Sequence, residues 1–372
     1  MINIGIDGNE ANVNKRVGVS VYALNILKYF NKTADKNVRF YIYLKNDSLY
    51  DLPKENEFFK YKVISGNFLW SQIFLPLYLQ QNKNIDVYFS PAHYLPLVCP
   101  VPQVVTIHDL AYLYYPEDFT KKDLWQLKNW TKLSVKKANK IIAVSKTTKK
   151  DILKNYGVNE DKISVIYNGY EKKDQRSKIK DQSASWRIKL KNKEPFILFV
   201  GTIQPRKNIE TLINAFNIFI ETNRDFKLII AGRKGWLYKS IFEKVKTLNL
   251  EKKVIFTDHV SDPELIWLYK NAFCLVLPSF YEGFGIPVLE AMNFDCPVIA
   301  SYSSSLPEIG GNAGLYFDPK NPADLLEKLN TLQGNDVLRK ELVAKGRQRI
   351  KDFSWEKCGE QTLEVIKQTA LI

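Results

Sequence analysis

Short apolar runs alternate along this chain with longer amphipathic stretches, and this alternation restricts the fold more than any other feature of the sequence. Strands that are apolar on both faces and separated by helices are typical of parallel sheets covered on both sides. Their length and flanking turn signals distinguish them from helical segments. The predicted strands are Met1–Ile6, Arg39–Leu44, Val87–Ser90, Gln103–Ile107, Lys140–Val144, Lys162–Tyr167, Pro195–Val200, Lys227–Ala231, Lys253–Phe256, Cys274–Pro278 and Pro297–Ala300.

The pattern predicts an α/β protein with two doubly wound, Rossmann-like domains, and 372 residues are enough for two domains. We predict a first domain over 1–170, a polar linker over 171–193, a second domain over 194–353 and a C-terminal helix over 354–372 that crosses back to the first domain. Ligands of such sheets bind beyond the carboxyl ends of the strands. The expected site is therefore a central cleft that the two domains face.

The net charge of +14 is concentrated in the first half of the chain. Residues 1–190 carry 30 basic and 18 acidic side chains, a balance of +12, whereas residues 191–372 carry 24 and 22, a balance of +2. This asymmetry indicates an anionic partner, or a lysine-rich composition that keeps the protein soluble. No apolar run reaches the ~18 residues of a membrane span. Without a recognisable leader or a metal-binding cysteine spacing, the expected setting is the cytoplasm.

The loop after the strand Pro195–Val200 reads GTIQPRKN and precedes a helical pattern that starts near Ile209. Gly201 at the strand end permits a sharp turn and a close approach of the backbone to a ligand. Arg206 and Lys207 lie beside the expected helix N-terminus, which already favours an anion. A guanidinium fork and an ammonium point charge together suit a diphosphate. A basic pair in a surface loop is otherwise plain solvated charge.

The segment SFYEGFGIPVLEAM, residues 279–292, is the densest signal in the sequence. A strand ends at Pro278, a glycine-rich turn follows, and Pro287 marks the first turn of a helix. Glu282 in the turn and Glu290 in the helix can both face one ligand at this helix N-terminus. The backbone N–H groups of the turn suit hydroxyls or an oxyanion; they belong to Gly283, Phe284, Gly285 and Ile286. Two ordinary carboxylates at a helix start are the alternative, because acids are favoured there.

Two further positions follow predicted strands of the first domain. His108 comes directly after Gln103–Ile107, where an imidazole can donate to a sugar hydroxyl or to developing charge, or can be a structural histidine bonded to backbone. Gly18, in RVGVSVYAL, opens a helix and can bring main-chain N–H groups to a phosphate.

A basic amphipathic helix is predicted within residues 121–150, which contain ten lysines and one acid. Four of these lysines recur every fourth residue and would form one helical face. A basic face flanked by tryptophans suits an anionic membrane surface, or is a solvated face over a packed core. These lysines are Lys128, Lys132, Lys136 and Lys140.

With these motifs the chain resembles the family 4 glycosyltransferases of the GT-B fold, group 1 type. Glu282 and Glu290, seven residues apart, combine with GTIQPRKN as a specific signature, and TIHDLAYLYYPE and IIAVSKTTKKDIL support it. The resemblance covers most of the chain and implies transfer of a sugar from a nucleoside diphosphate sugar with retention of anomeric configuration. The family often has two or three glycines where this chain has only Gly18 followed by Val19 and Ser20, so the acceptor-side loop departs from the family pattern.

The resemblance also implies roles for individual residues. Arg206 and Lys207 would hold the diphosphate, and Glu290 the ribose hydroxyls. Glu282 would face the donor sugar, whose hydroxyls the amides of Phe284, Gly285 and Ile286 would fix. The remaining donor contacts are expected from His108 near the sugar C6 hydroxyl, Gly18 and Gly201 near the diphosphate, and the loop around Val260 at the base.

The segment TIHDLAYLYYPE resembles the corresponding segment of bacterial mannosyltransferases of surface polysaccharide synthesis. GDP-mannose is therefore the first donor expected, before UDP-glucose and UDP-N-acetylglucosamine. The chain contains no D-x-D pair, which predicts metal-independent transfer with no cofactor. The expected acceptor is a glycan or lipid-linked glycan, with attachment to the inner face of the plasma membrane. The rival interpretations are a nucleotide-sugar 2-epimerase and a non-catalytic protein that binds anionic membranes. Nucleic-acid binding is not expected, since no aromatic platform alternates with the lysines.

Overall fold

The structure, a computed structural model, describes residues 1–66, 69–170 and 194–372, so the predicted linker 171–193 lies outside the described residues. The described residues form two compact units. Unit 1 comprises those of Met1–Pro116, Thr120–Glu171 and Phe353–Ile372, and unit 2 those of Glu117–Phe119 and Lys172–Asp352. The short segment Glu117–Phe119 therefore belongs to unit 2 although its sequence neighbours belong to unit 1.

Unit 1 contains a seven-stranded parallel sheet in the order β3-β2-β1-β4-β5-β6-β7. Its strands are β1 (Ile2–Asp7), β2 (Val38–Leu44), β3 (Phe59–Val63), β4 (Val87–Ser90), β5 (Gln103–Ile107), β6 (Lys140–Ala143) and β7 (Ile163–Val165). The helices that follow them are α1 (Val19–Thr33), α2 (Phe74–Gln81), α3 (Ala111–Tyr114), α4 (Lys121–Lys137) and α5 (Lys146–Tyr156).

Unit 2 contains a six-stranded parallel sheet in the order β10-β9-β8-β11-β12-β13. Its strands are β8 (Phe196–Val200), β9 (Lys227–Ala231), β10 (Val254–Asp258), β11 (Cys274–Leu277), β12 (Val298–Ser301) and β13 (Gly314–Phe317). Its helices are α6 (Ile209–Thr222), α7 (Lys239–Thr247), α8 (Asp262–Asn271), α9 (Ile286–Asn293), α10 (Leu306–Gly310), α11 (Pro322–Gln333) and α12 (Asp336–Arg349). The order of strands reverses between β8 and β11, which makes their carboxyl ends the switch point of this sheet.

The two parallel sheets with helices confirm the predicted fold class, and all eleven predicted strands are present with their ends shifted by at most two residues. Two strands were not predicted, β3 and β13, and both lie at an edge of their sheet. Edge strands are half-exposed, so β3 alternates lysines with apolar residues and β13 begins at a glycine. Such segments lack the continuous apolar run that identifies a central strand.

The last helix, α13 (Trp355–Ala370), belongs to unit 1, where it packs against α1. The Ser354 hydroxyl caps it by accepting a hydrogen bond from the backbone N–H of Lys357. Buried Cys358, Leu363 and Ile366 join the same apolar core as α1 and the sheet. The end of the chain is thus part of the first unit's core, although some 180 residues of unit 2 precede it. None of the helices in the described ranges is long and apolar enough to cross a membrane.

The contact between α1 and α13 predicts a stability effect at Gly359. A Cβ at this position would lie 2.3 Å from Cγ of Tyr29 on α1, which is too close for any rotamer to relieve without moving the helices. We expect Gly359→Ala to lower the free energy of unfolding by about 1–3 kcal/mol. Exposed Gln361→Ala on the same helix is the control and should change it by less than about 0.5 kcal/mol. Equal denaturant midpoints for the two variants would contradict this packing.

Candidate functional site

The loop after β8 carries the two predicted phosphate ligands. Arg206 and Lys207 lie in a 3-10 turn over Pro205–Lys207, and Asn208 adopts a left-handed conformation before α6 begins at Ile209. The Asn208 amide donates to the carbonyl of Pro278 at 3.0 Å, at the end of the neighbouring strand β11. The loop is therefore fixed to the second candidate loop across the switch point.

The loop after β11 carries the first of the two glutamates. Glu282 lies in the turn, and Glu290 lies in the second turn of α9, which Gly285 caps. Gly285 has φ 102°, and a Cβ there would be 2.8 Å from Cδ2 of Leu306, so the close approach requires glycine. Ile286 begins α9, at the helix end where backbone N–H groups have no carbonyl of a preceding helical turn to bond to.

The side chains of Lys207 and Glu282 form an ion pair that joins these two loops. Nζ of Lys207 lies 2.6 Å from Oε1 of Glu282, and the Ser279 hydroxyl donates to the same oxygen at 2.8 Å. Both side chains of the pair are about 15% exposed. Burial alone would raise the pKa of Glu282, but the charges of Lys207 and Arg206 outweigh it and lower the pKa. Glu282 is therefore a carboxylate at neutral pH.

Four serine hydroxyls at the end of β12 and directly after it hold the backbone of the loop that contains Glu282. One accepts the backbone N–H of Glu282, and the others donate to carbonyls of the loop. The Ser301 hydroxyl donates to the carbonyl of Ser279 at 2.5 Å, and the Ser303 hydroxyl donates to the carbonyl of Phe280 at 2.5 Å. The Ser304 hydroxyl accepts the backbone N–H of Glu282 at 2.8 Å. The Ser305 hydroxyl lies 2.9 Å from the carbonyls of both Glu282 and Phe284. Sequence reasoning gave these serines no role. The available signal was the run SYSSS at the carboxyl end of a strand beside β11.

Arg206 is held on three sides within unit 2. Its Nη1 donates to the carbonyl of Tyr281 at 2.6 Å, and its backbone carbonyl accepts the N–H of Phe280 at 2.9 Å. Its Nε lies 3.6 Å from Oδ2 of Asp118, a buried carboxylate in the segment Glu117–Phe119. Asp118 is a neighbour of the candidate site that the sequence analysis did not single out.

Glu290 and Val260 occupy the same edge of the second sheet. The Tyr269 hydroxyl donates to Oε2 of Glu290 at 2.9 Å, which orients the carboxylate from helix α8. Val260 is half-buried in the loop between β10 and α8, next to the capping box of Ser261 and Glu264. Gly201 ends β8 and donates its N–H to the carbonyl of Ala231 on β9. These residues share a sheet edge with Lys207 and Glu282.

His108 lies at the end of β5 in unit 1 and is only 7% exposed. Its Nε2 is 2.8 Å from the Pro91 carbonyl, which can only accept, so Nε2 carries a proton. Burial and the neighbouring His93 lower the pKa of His108 to about 4, and the neutral ring leaves Nδ1 as an acceptor. The Nε2 contact fits the second sequence interpretation, a histidine bonded to backbone, and Nδ1 of this tautomer can accept a hydrogen bond from a hydroxyl but cannot donate one.

Gly18 caps α1 in unit 1, as the sequence predicts. It has φ +49°, and no atom lies within 4 Å of the position that a Cβ would take. The positive φ explains the glycine, and open space lies where a side chain at this position would begin.

Comparison with known proteins decides the family. The family model described as "Glycosyltransferase Family 4" matches residues 17–173 of the chain, and the model described as "Glycosyl transferases group 1" matches residues 180–349. O-antigen chain mannosyltransferase B of Escherichia coli is 32% identical over 291 residues, 76% of this chain and 74% of that protein. The chain belongs to glycosyltransferase family 4, group 1 type. The prediction that it is an enzyme, a hexosyltransferase, is confirmed at the level of this family.

Further relatives agree with this family. O-antigen chain mannosyltransferase RfbU of Salmonella typhimurium is 37% identical over 217 residues, 58% of this chain and 57% of that protein. Sucrose-phosphate synthase from Thermosynechococcus elongatus is similar in structure with a TM-score of 0.74, 18% identity and 99% of each chain covered. HepE from Anabaena in complex with UDP has a TM-score of 0.73 at 18% identity and covers 99% of this chain and 100% of its own. These structural neighbours confirm the GT-B fold.

The predicted lysine face of this glycosyltransferase needs one correction. Lys128, Lys132 and Lys136 lie exposed on α4, but α4 ends at Lys137, and Lys140 is the first residue of β6. Its Nζ donates to the carbonyl of Asp161 instead. The helix stops because Asn139 exchanges hydrogen bonds with Gln103 of β5, which draws the chain into the sheet. The predicted basic face therefore consists of three lysines.

Among the described residues, no group of three or more histidine, cysteine, aspartate or glutamate side chains is placed to hold a metal ion.

The buried neutral His108 predicts a pH dependence of stability. The unfolded chain binds a proton below the ordinary pKa of 6.5, whereas the folded unit binds it only near 4. The contribution of His108 is therefore complete above pH 6.5 and is lost as the pH falls toward 4. In His108→Gln, we expect a smaller loss of unfolding free energy between about pH 7 and about pH 5 than in the wild type. His259→Gln, at an exposed histidine, should keep the wild-type profile; a wild-type profile in His108→Gln would contradict the burial.

Proposed function

We propose that this glycosyltransferase moves a hexose from a nucleoside diphosphate sugar, with GDP-mannose as first donor, to a glycan or lipid-linked glycan, with retention and without a metal. One observation carries the proposal: Lys207 and Glu282 meet at 2.6 Å between the loops that follow β8 and β11, at the switch point of the second sheet. Glu290 projects from the helix that begins at the same edge. Ligands of open α/β sheets bind at this place.

In this proposal the diphosphate takes the cations of the first loop. Arg206 and Lys207 precede the N-terminus of α6, where the helix dipole adds partial positive charge. These groups stabilise the negative charge that develops on the leaving diphosphate. Because fixed cations supply this stabilisation and the chain has no D-x-D pair, the transfer requires no metal.

The sugar and the nucleoside take the second loop. Glu282 accepts hydrogen bonds from sugar hydroxyls once the diphosphate holds Lys207, and the amides of Phe284, Gly285 and Ile286 donate to others. Glu290, oriented by Tyr269, accepts the two ribose hydroxyls, and the loop around Val260 flanks the base. In unit 1, Nδ1 of His108 accepts from the sugar's C6 hydroxyl, and Gly18 offers amides to the diphosphate.

Transfer proceeds on one face of the sugar. The bond between the anomeric carbon and the diphosphate oxygen breaks through an oxocarbenium-like state, and the acceptor oxygen bonds to the same face. The departing phosphate oxygen takes the proton of the acceptor hydroxyl, so no protein base is needed. Glu282, already a carboxylate, stabilises the positive sugar by its charge.

Mannose is supported as the donor sugar by relatives named O-antigen mannosyltransferases, one of them 32% identical over 76% of this chain. UDP-glucose and UDP-N-acetylglucosamine are the alternative donors, and a 2-epimerase on the same fold is the rival reaction. An epimerase would form its product without releasing the nucleotide. A non-catalytic membrane-binding protein, the third alternative, would tolerate replacement of Glu290 and Arg206.

Donor binding is tested by calorimetric titration with GDP, UDP and dTDP in EDTA. We expect one nucleotide to bind the wild type, and Glu290→Ala to weaken it by about 10- to 100-fold, because a carboxylate that accepts two hydroxyls is lost. Glu327→Ala removes an exposed glutamate of the same unit and should bind as the wild type does.

Turnover completes this test. We expect transfer to continue in EDTA and the anomeric proton signal of the product to match the donor's configuration. Loss of turnover in EDTA would refute metal independence, and an inverted product would refute the single-face mechanism. If no nucleotide bound, the non-catalytic alternative would take precedence.

The lysine face of α4 supports peripheral attachment to anionic lipid, where a lipid-linked acceptor would lie. Lys128, Lys132 and Lys136 are exposed, and Trp125 on the same helix is 62% exposed. Each lysine near an anionic surface contributes about 1 kcal/mol, and an exposed tryptophan suits the interface.

Reversal of three charges tests the attachment. We expect Lys128→Glu, Lys132→Glu and Lys136→Glu together to lower binding to phosphatidylserine-containing vesicles by at least about 100-fold. The control reverses the same number of exposed charges in unit 2, at Lys239, Lys246 and Lys252. Equal effects of both triple variants would show a general charge effect, and unchanged binding would exclude the α4 face while leaving the transferase intact.

A further inference from the structure

Asp118 is a buried carboxylate beside the candidate donor site. It ends the 3-10 turn Pro116–Asp118 and belongs to unit 2, although Thr120 and the helix that follows belong to unit 1. Its side chain is 1% exposed, and its Oδ2 lies 3.6 Å from Nε of Arg206. A carboxylate so deeply buried requires a counter-charge, and Arg206 is the nearest one.

No side-chain hydrogen bond joins Asp118 to Arg206, although the backbone N–H of Arg206 also faces the carboxylate and lowers its pKa. Both carboxylate oxygens of Asp118 and Nε of Arg206 are buried with no hydrogen-bond partner of good geometry in the described part of the chain. The guanidinium of Arg206 instead donates a hydrogen bond from Nη1 to the carbonyl of Tyr281. By contrast, Lys207 and Glu282 approach to 2.6 Å with a hydrogen bond. The Asp118 pair therefore neutralises charge but saturates neither group.

A diphosphate oxygen is a stronger partner for this guanidinium than Asp118. It can accept a short, charge-assisted hydrogen bond from Nε, which Asp118 at 3.6 Å does not. Burial raises the pKa of Asp118 even though the charge and the backbone N–H of Arg206 both oppose the rise, so the two together do not fully compensate for the burial of the carboxylate. When an anion binds Arg206, the nearby carboxylate also repels that anion.

We propose that Asp118 acts as the internal counter-ion of Arg206 in the binding site for the donor's diphosphate. It neutralises the guanidinium when no diphosphate is bound. When the nucleoside diphosphate product is bound, Asp118 weakens its binding and so speeds its release. The proposal rests on the proposed function. It follows that Asp118 opposes nucleotide affinity and favours turnover, because release of product limits many enzymes.

Replacement of one carboxylate tests this role. We expect Asp118→Asn to bind GDP, or UDP if that is the nucleotide bound by the wild type, about tenfold more tightly, with slower dissociation and a lower kcat. Glu117→Gln is the matched control, because it removes the same charge from an exposed carboxylate one residue away and should leave the affinity unchanged. Asp118→Ser serves as the second variant if Asp118→Asn unfolds, and thermal melting of each variant checks its fold.

A second background separates this inference from the proposed function. In Arg206→Ala, nucleotide binding should be weak, and adding Asp118→Asn should tighten it far less than the same change does in the wild type, since the partner of the carboxylate is gone and only its repulsion of the anion is removed. If Arg206→Ala bound nucleotide as the wild type does, the diphosphate role of Arg206 would fail. If Arg206→Ala weakened binding and Asp118→Asn also weakened it, Asp118 would be a positioning residue and the counter-ion role would be overturned. Equal tightening by Glu117→Gln would overturn it as well.

Discussion

The ion pair between Lys207 and Glu282 is the contact on which the candidate site depends. It joins loops that are 75 residues apart in the sequence but follow adjacent strands of one sheet. The parallel order of β8 and β11 brings the two loop starts together, and the pair then fixes their side chains. A lysine and a glutamate with little exposure stabilise each other, whereas either alone would be a costly buried charge. The candidate site therefore keeps these two charges by pairing them.

The backbone around this pair is held by side-chain hydroxyls rather than by strand or helix hydrogen bonds. A tight glycine-containing turn leaves carbonyls and amides without regular partners, and buried groups of this kind need some other partner. The serines of residues 301–305 supply it, because β12 ends beside β11 and places them at the same edge. Ser304 adopts φ +49° while its hydroxyl accepts the N–H of Glu282, a local strain that the surrounding contacts maintain.

The sequence predicted the features that come from periodicity and missed those that come from packing. The nine central strands are apolar on both faces and were all found, together with the edge strands β7 and β10, while the edge strands β3 and β13 were not. The four-residue spacing of lysines extended the α4 face to Lys140, because spacing alone does not register the exchange of hydrogen bonds between Asn139 and Gln103. Arg206, Lys207 and Glu282 were found because a motif marks them. Asp118 was missed since no local pattern marks a carboxylate whose partner lies 88 residues away.

Arg206 and Lys207, the two cations of the loop after β8, pair with their carboxylates at unequal strength. In the proposed reaction this difference sets the order in which they leave these carboxylates and bind the diphosphate. Arg206 exchanges a 3.6 Å contact without a hydrogen bond, whereas Lys207 must give up a 2.6 Å bond that Ser279 reinforces at the same oxygen. A diphosphate thus gains its first strong contact at Arg206 at little cost and reaches Lys207 afterwards. Only when Lys207 turns to the phosphate does Glu282 lose its partner and become available to sugar hydroxyls. In the proposed reaction, Glu282 therefore becomes available to the sugar only when the leaving group is already held, which couples donor binding to the readiness of the site.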